Sequence, residues 1–482
     1  MPTGLSPQNQ KNDSPTDRQI DETIENAPGE TCMSQHSITA AQAEWLTKHN
    51  VRDVELAFAD VSGFPRGKTL PAQALIKGQE LRIARAVAIQ TCVGEFPDYR
   101  FYGENDPDVV LRPDFATLYP VPWAKTPRAL VVCDNIDHDG SLSPLAPRSA
   151  LRNILARYQA RGWTPVVAPE LEFYIFAAHG DADQPYQAPA LRTGRRETGF
   201  DAFSFSTLND LEPFFDDLYR ACEQLGIDTD TYVHEMGPSQ FEINLKHGDA
   251  LALADQTFLF KYALKEIGYQ HGLNVVCMAK PLSGQPGSSM HLHQSVVDGQ
   301  GNNVFSLADG EASPDFFHFI GGLQQYLPHL MPLFCPSPNS FRRFVKGLAA
   351  PVNVSWGVDN RSVGIRVPVS GPAARRVENR LPGCDANPYL SLAASLGAGL
   401  MGVEEKRSPS EAAVGNVFNN DDAATLPNTL DAACALMAAH DTAARLFGHE
   451  FTAAYLAVKD IELSHFHNQI TAWERQYLTT LA

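Results

Sequence analysis

Alternation of apolar and polar positions is clearest in Ala168-Pro-Glu170-Leu-Glu172-Phe-Tyr-Ile175-Phe, an apolar run holding two carboxylates two residues apart. A strand sends residues i and i+2 to the same face, so Glu170 and Glu172 project together while Leu171, Phe173 and Ile175 pack behind them. Four more stretches alternate in the same way. Gln240-Phe-Glu242-Ile-Asn244 puts Gln240, Glu242 and Asn244 on one face, and Met290-His291-Leu-His293-Gln-Ser295 does so with His291, His293 and Ser295. Arg376-Val-Glu378-Asn-Arg380 repeats the pattern, and Arg361-Ser-Val-Gly-Ile-Arg366 carries two more arginines on a strand-like run. Strands with a polar face this dense in chemistry and an apolar back predict a sheet curved around a site.

Helical periodicity appears in Arg148–Arg161, in Asp210–Leu225 with Asn209 as its cap and Gly226 as its stop, in Ala250–His271, and through the Ala-rich stretch Thr425–Leu481. Thr39-Ala-Ala-Gln42 reads as a capping box opening a short helix. Between Val51 and about Asn135 the apolar runs are short and strand-like, Val54–Phe58 and Ala129–Cys133 among them. Residues 1–36 are polar with few aliphatics and predict a disordered tail, with Met33 as a second candidate start. The expected organisation is therefore a tail at 1–36, a strand-rich domain at 37–143 and a large mixed domain at 144–482, an α+β class overall. Gly63-Phe-Pro-Arg-Gly67-Lys-Thr69 imitates a phosphate-binding loop but has three residues between its glycines rather than four, and is set aside.

At 482 residues the chain exceeds one compact core, and 44% hydrophobic with 20% charged residues is the balance of a globular protein. A formal net charge of −18 argues against nucleic acid or an anionic membrane surface as partner. With no apolar run of spanning length and no basic-then-apolar leader pattern, the expected location is cytoplasmic. Eight cysteines without a C-x-x-C pair predict reduced thiols rather than a disulfide framework or a thiolate zinc site.

Neighbouring carboxylates on a half-buried face need a counter-charge. The inventory is Glu170, Glu172, Glu235, Glu242, Glu378 and His291. Oxygen ligands with one imidazole suit Mg²⁺ or Mn²⁺, and six ligands are more than one ion needs, so two ions are expected. Arg343, Arg361, Arg366, Arg376 and Arg380 match planar oxyanions. A single Glu-x-Glu strand is ordinarily a solvated edge; five such stretches together point to phosphoryl transfer.

These residues closely resemble the glutamine synthetase superfamily from about Val51 to about Lys406. The resemblance rests on Ala-Pro-Glu170-Leu-Glu172-Phe, Glu235-Met-Gly-Pro-Ser-Gln-Phe-Glu242-Ile-Asn, Lys280-Pro-Leu-x-Gly284-x-x-Gly287-Ser-x-Met-His291-x-His293, Asn339-Ser-Phe-Arg-Arg343, Asn360-Arg361-Ser and Arg376-Val-Glu378-Asn-Arg380-Leu-Pro. It implies an N-terminal β-grasp domain and a catalytic domain with a curved antiparallel sheet flanked by helices. It also implies stacked hexameric rings with sites shared between subunits. By the same resemblance Glu172, Glu235 and Glu242 hold one ion, and Glu170, His291 and Glu378 hold the other. Gly287, Arg343, Arg361 and Arg380 bind glutamate; Arg361 and Arg366 meet the phosphate being transferred; His293, Ser295 and Arg376 bind ATP. Asp60 and Arg361 form the catalytic pair, Asp60 taking the amine's proton from a loop that reaches the next subunit.

The implied reaction makes a γ-glutamyl phosphate from glutamate and ATP, which an amine then converts to an amide. True glutamine synthetases carry a glutamate in a flap that resembles Gly347-Leu-Ala349-Ala-Pro351, where this chain has Ala349. Ala373 likewise stands where the family has a lysine among the ATP contacts, and no tyrosine segment resembles the adenylylated one. Trp356-Gly-Val-Asp359-Asn-Arg361-Ser is similar to the glutamate–polyamine ligase branch, which makes putrescine or another polyamine the expected acceptor. Ligation of a monoamine such as ethanolamine, glutamine synthesis proper and a non-catalytic scaffold are the alternatives.

Overall fold

Thr39 opens the first helix, Ala40–Lys48, with the reciprocal cap the sequence predicts: its hydroxyl accepts from the Gln42 amide and its own N–H donates to the Gln42 side chain. The computed structural model describes residues 37–181, 183–345, 350–418 and 426–481, so the 1–36 tail, Ala349 and Thr425 lie outside the described residues. Six strands follow that helix: β1 Asp53–Ala59, β2 Pro65–Pro71, β3 Leu81–Ala84, β4 Asp108–Pro113, β5 Tyr119–Pro120 and β6 Arg128–Ile136. They form a sheet in the order β2-β1-β6-β4-β3, with β5 also on β6 and β1 running parallel to β6. Gly67 and Lys68 lie within β2, where they serve a strand and not a phosphate loop.

The second sheet is built from β7 Trp163–Ala177, β8 Thr229–His234, β9 Gln240–Leu245, β10 Gly248–Asp249, β11 Leu273–Val276, β12 Met290–Asp298, β13 Trp356–Val358, β14 Ile365–Val367 and β15 Val377–Asn379. Its order is β13-β14-β15-β12-β7-β9-β8, with β10 and β11 also pairing with β7. Every pair is antiparallel except β13–β14, so the expected antiparallel sheet carries one parallel edge. β7 is fifteen residues long and serves two strands along each edge, β9 then β10 on one and β12 then β11 on the other. Pro169 falls between the stretch paired with β9 and the stretch paired with β10, where the missing N–H leaves no ladder bond unmade on that edge. Together the two sheets and their helices make the α+β architecture that the pattern predicts.

Two expectations need correction. The predicted helix Asp210–Leu225 is two helices, Phe205–Asp210 and Glu212–Gln224, so Asn209 lies inside the first instead of capping the second. Pro213 explains the break: it fits a first turn but cannot continue an existing helix. Arg361 precedes β14 in a turn, because the Asn360 side chain accepts from both the amide and the hydroxyl of Ser362 and bends the backbone out of the strand. The C-terminal stretch is helical as expected, and its described residues form four helices, Leu430–Ala439, Thr442–Phe447, His449–His467 and Ala472–Leu478. Among the described residues no helix is long and apolar enough to cross a membrane.

A buried charge cluster joins the two sheets. Arg148, in the first turn of the helix Pro147–Gln159, is 3% exposed. It donates to Asp134 on β6 (2.6 Å), to Asp114 (2.8 Å) and to Asp255 on the helix Ala250–Gln270 (2.9 and 2.7 Å). Arg152, one turn on, adds bonds of 3.0 Å to Asp134 and Asp114. Burial pushes the Asp134 carboxyl up, yet Arg148 and Arg152 win and hold it below its ordinary value. That stabilisation is full above the unfolded carboxylate range and is lost as pH falls through the lowered value. Arg148→Met leaves three buried carboxylates short of a cation and is expected to cost about 3–5 kcal/mol in urea unfolding. Arg157→Met, which breaks only the surface pair with Glu404, is expected to cost less than about 1 kcal/mol. Equal losses would show that the cluster is not what joins the sheets.

Candidate active site

The strand registers bring the polar positions into rows. Glu172 on β7 faces Glu242 on β9; Glu170 lies between Asn244 on β9 and His291 on β12; His293 on β12 faces Glu378 on β15, which in turn faces Arg366 on β14. Directly opposed residues have Cβ atoms about 4.5–5.5 Å apart, so the registers alone gather these side chains. Two groups of ligand atoms lie within 4.8 Å of one another: Glu170, Glu242 and His291, and Glu170, His293 and Glu378. Glu170 belongs to both.

These groups differ from the triads that the resemblance implies. His291 Nδ1 lies 3.3 Å from Glu170 and 3.8 Å from Glu378, which brings the expected set Glu170, His291 and Glu378 into one neighbourhood. His293, expected at the nucleotide, sits 2.8 Å from Glu170 through Nε2, while Arg376 Nε donates to its Nδ1 (3.2 Å). Glu172 accepts from the Ser289 amide (2.8 Å) and lies 3.9 Å from His291. Glu235 follows β8 and stands outside both groups, near enough to Glu172 and Arg361 to feel their charge.

Charge is unevenly compensated across this face. Burial pushes Glu170 up, but hydrogen bonds from His291 and His293 draw it well below the ordinary range. Glu378 is buried too, and Arg380 and the two histidines bring it down to about 2. Glu242 accepts from no histidine or arginine among the described residues, and burial, with Glu172, Glu170 and Glu235 around it, pushes it up to about 9. Glu235 rises as well, through burial and then Glu172. Carboxyl groups held up by their neighbours, with oxygen and imidazole donors in reach, are what a hard divalent cation would relieve, so the donor set fits Mg²⁺ or Mn²⁺.

The arginines divide by role in the packing. Arg343 is buried and donates to the carbonyls of Pro382 (2.7 Å) and Leu381. Gly287 has to be glycine beside it, since a Cβ there would lie 2.2 Å from Arg343 Cγ. Arg380 and Arg366 both donate to Glu378, at 2.6 and 2.7 Å, and Arg366 also reaches Asp359. Arg361 is exposed, and the Ser295 hydroxyl donates to the Arg375 carbonyl. Asp60 is not brought to this face: its carboxylate accepts from the amides of Ser62 and Phe64 and from Arg66 (2.7 Å) in its own loop.

Sequence reasoning missed four contributors. Ser289, which holds Glu172, is two residues before His291 and could have been found from that spacing. Glu197 accepts from the Ser239 amide (2.8 Å) and pairs with His234, fixing the loop that carries Glu235, but no local pattern marks it. Met236 and Pro286 line a small cavity with Glu172, Glu235, Gly287 and Arg343.

Comparison with known proteins agrees with this geometry. The family model described as glutamine synthetase, catalytic domain, matches residues 144–478. A glutamate–isopropylamine ligase from Pseudomonas sp is 31% identical over 89% of this chain and 95% of its own length. The gamma-glutamylputrescine synthetase PuuA of Escherichia coli (strain K12) is 32% identical over 89% of this chain and 92% of its own. A solved structure described as apo GmaS without ligand superposes with a TM-score of 0.78 at 28% identity, covering 91% of this chain and 99% of that one.

Because Glu242 is held protonated near neutrality when no cation is present, entry of Mg²⁺ at about pH 7.5 is expected to release about one proton per site. Calorimetry in buffers of different ionisation enthalpy measures this. Glu242→Gln should remove the release, and an unchanged release would contradict the assignment.

Proposed function

The chain belongs to the glutamine synthetase family, and on that premise we propose that it joins the γ-carboxylate of glutamate to an amine with ATP. The observation that carries the reading is the set of registers that aligns Glu172 with Glu242, Glu170 with His291 and Glu378 with Arg366 on one polar face. Glu172, Glu235 and Glu242 would hold one Mg²⁺ or Mn²⁺, and Glu170, His291 and Glu378 another. Ions bound there supply charge neutralisation to a phosphoryl group in transfer.

Arg343, Arg380 and Gly287 take glutamate, with Arg343 preset by the carbonyls of Leu381 and Pro382. Arg361 and Arg366 take the oxygens of the transferring phosphoryl group, and His293, Ser295 and Arg376 the nucleotide. The γ-carboxylate attacks the terminal phosphorus of ATP and ADP leaves. The amine then attacks the γ-carbonyl carbon, and phosphate departs with the electron pair. Asp60 is proposed to take the amine's proton across a subunit boundary in stacked hexameric rings. Burial pushes its carboxyl up, the direction that suits a proton acceptor.

Ala349, standing where glutamine synthetases carry a flap glutamate, removes one attraction for ammonium and leaves room for a longer acceptor. Putrescine or another polyamine is the proposed acceptor. An alkyl monoamine is the second reading, favoured by the apolar Met236 and Pro286 on the cavity wall and by the likeness to the glutamate–isopropylamine ligase.

ATP-dependent phosphate release across a panel of amines, with product identification, tests the reading. Turnover with putrescine or a longer amine is expected to exceed turnover with ammonium; ammonium as the best acceptor would overturn it. Ala349→Glu should shift use toward ammonium. Glu172→Ala should abolish turnover with either metal, and near-normal activity in that variant would refute the proposed ion site.

A further inference from the structure

Cys277 follows directly on β11, and Cys384 lies in the strap that leads from β15 to the helix Pro388–Glu404. The backbone sets the two side by side. The Ser288 amide donates to the Ala279 carbonyl (2.8 Å), and the Ser288 carbonyl accepts from the Cys384 amide (3.0 Å), so one residue is flanked by both segments. A Cβ on Gly383 would lie 3.3 Å from that of Ala279. Across that junction the Cys384 thiol lies near enough to the Cys277 sulfur to draw its pKa down.

Cys277 also lines a cavity of about 720 Å³ between the loop Ser62–Arg66 and the helix Ala250–Gln270, with Arg66, Lys261 and Lys265 on its walls. Cys384 is fully buried behind it. We propose that Cys277 and Cys384 are a redox dithiol, closed to a disulfide by a small-molecule disulfide that enters this cavity. The Cys277 thiolate attacks one sulfur of the incoming disulfide and the first thiolate leaves. Cys384 loses its proton and attacks the Cys277 sulfur of the mixed disulfide, and the second thiolate leaves. Two protein thiols are oxidised and one small disulfide becomes two thiols.

The local chemistry favours this order. The neighbouring Cys384 thiol, against burial and helped by Lys261 and Lys265, draws Cys277 down to about 7. Cys92, a second thiol on the cavity wall, is pushed up to about 11 by burial and then Glu462. Cys277 is therefore the nucleophile of the pair.

Closing the bond pulls the strap toward β11. The same strap carries the Leu381 and Pro382 carbonyls that hold Arg343. A displacement of about 1 Å at a positioning group costs about 100-fold in rate, so oxidation is expected to suppress turnover on that scale.

The test uses the full chain, reduced, desalted and exposed to oxidised glutathione. Digestion without reductant should yield a Cys277–Cys384 peptide pair two hydrogens lighter than the sum of its parts, reversed by dithiothreitol. Cys384→Ala should stop at a glutathione adduct on Cys277, and Cys277→Ala should form no crosslink and keep its activity under oxidant. The crosslink is read by mass alone, so it stands apart from the proposed reaction. Glutathione on Cys92 with Cys277 untouched would overturn the site. A full crosslink with unchanged turnover, or equal inactivation of Cys277→Ala, would overturn its coupling to Arg343.

Discussion

Five carboxylates and two imidazoles gathered on and beside one sheet face repel or attract at distances set by strand register, and the rest of the site responds to that force. Glu170 is settled by His291 and His293, and Glu378 by Arg366 and Arg380. Among the described residues Glu172 has one backbone donor, and Glu242 and Glu235 are left with their acidity suppressed by burial and their neighbours. The compensation is thus complete on the β12–β15 side and deficient on the β9 side. The deficient side calls for a cation brought from solution, whereas an ion on the compensated side would share glutamates that already have histidine and arginine partners.

The same economy of charge holds the two sheets together. Arg148 and Arg152 answer Asp114, Asp134 and Asp255 in a buried cluster, to which the Tyr389 hydroxyl adds a bond of 2.7 Å. The strap from Arg380 to Asn387 links this frame to the site. Its first residues hold Glu378 and Arg343, Cys384 pairs through its amide with Ser288, and Asn387 both caps the helix Pro388–Glu404 and donates to the Asp60 carbonyl. A disturbance at one point of the strap therefore reaches Arg343 and the Asp60 loop together.

Much of this was legible in the sequence because strand periodicity is short-range. Glu170 with Glu172, His291 with His293, and the box Thr39–Gln42 all announce themselves within four residues. The mixed α+β class followed from the same patterns, and the family model matches residues 144–478. What escaped depends on longer reach or on local competition. Pro213 overrode the apolar period that made one helix of two, and the Asn360 side chain bent Arg361 out of its strand. The sharing of Glu170 between two ligand groups requires knowing that β9 and β12 lie on opposite edges of β7. The thiol pair requires knowing that β11 and the strap meet at Ser288.

The central proposal is that this face would hold two divalent ions, one on each side of β7's glutamate pair. Crystals grown with Mn²⁺ and ADP and measured at a wavelength where manganese scatters anomalously test it most directly. The account predicts one anomalous peak among Glu172, Glu235 and Glu242 and another among Glu170, His291 and Glu378. Manganese bound elsewhere, with both positions empty, would contradict it.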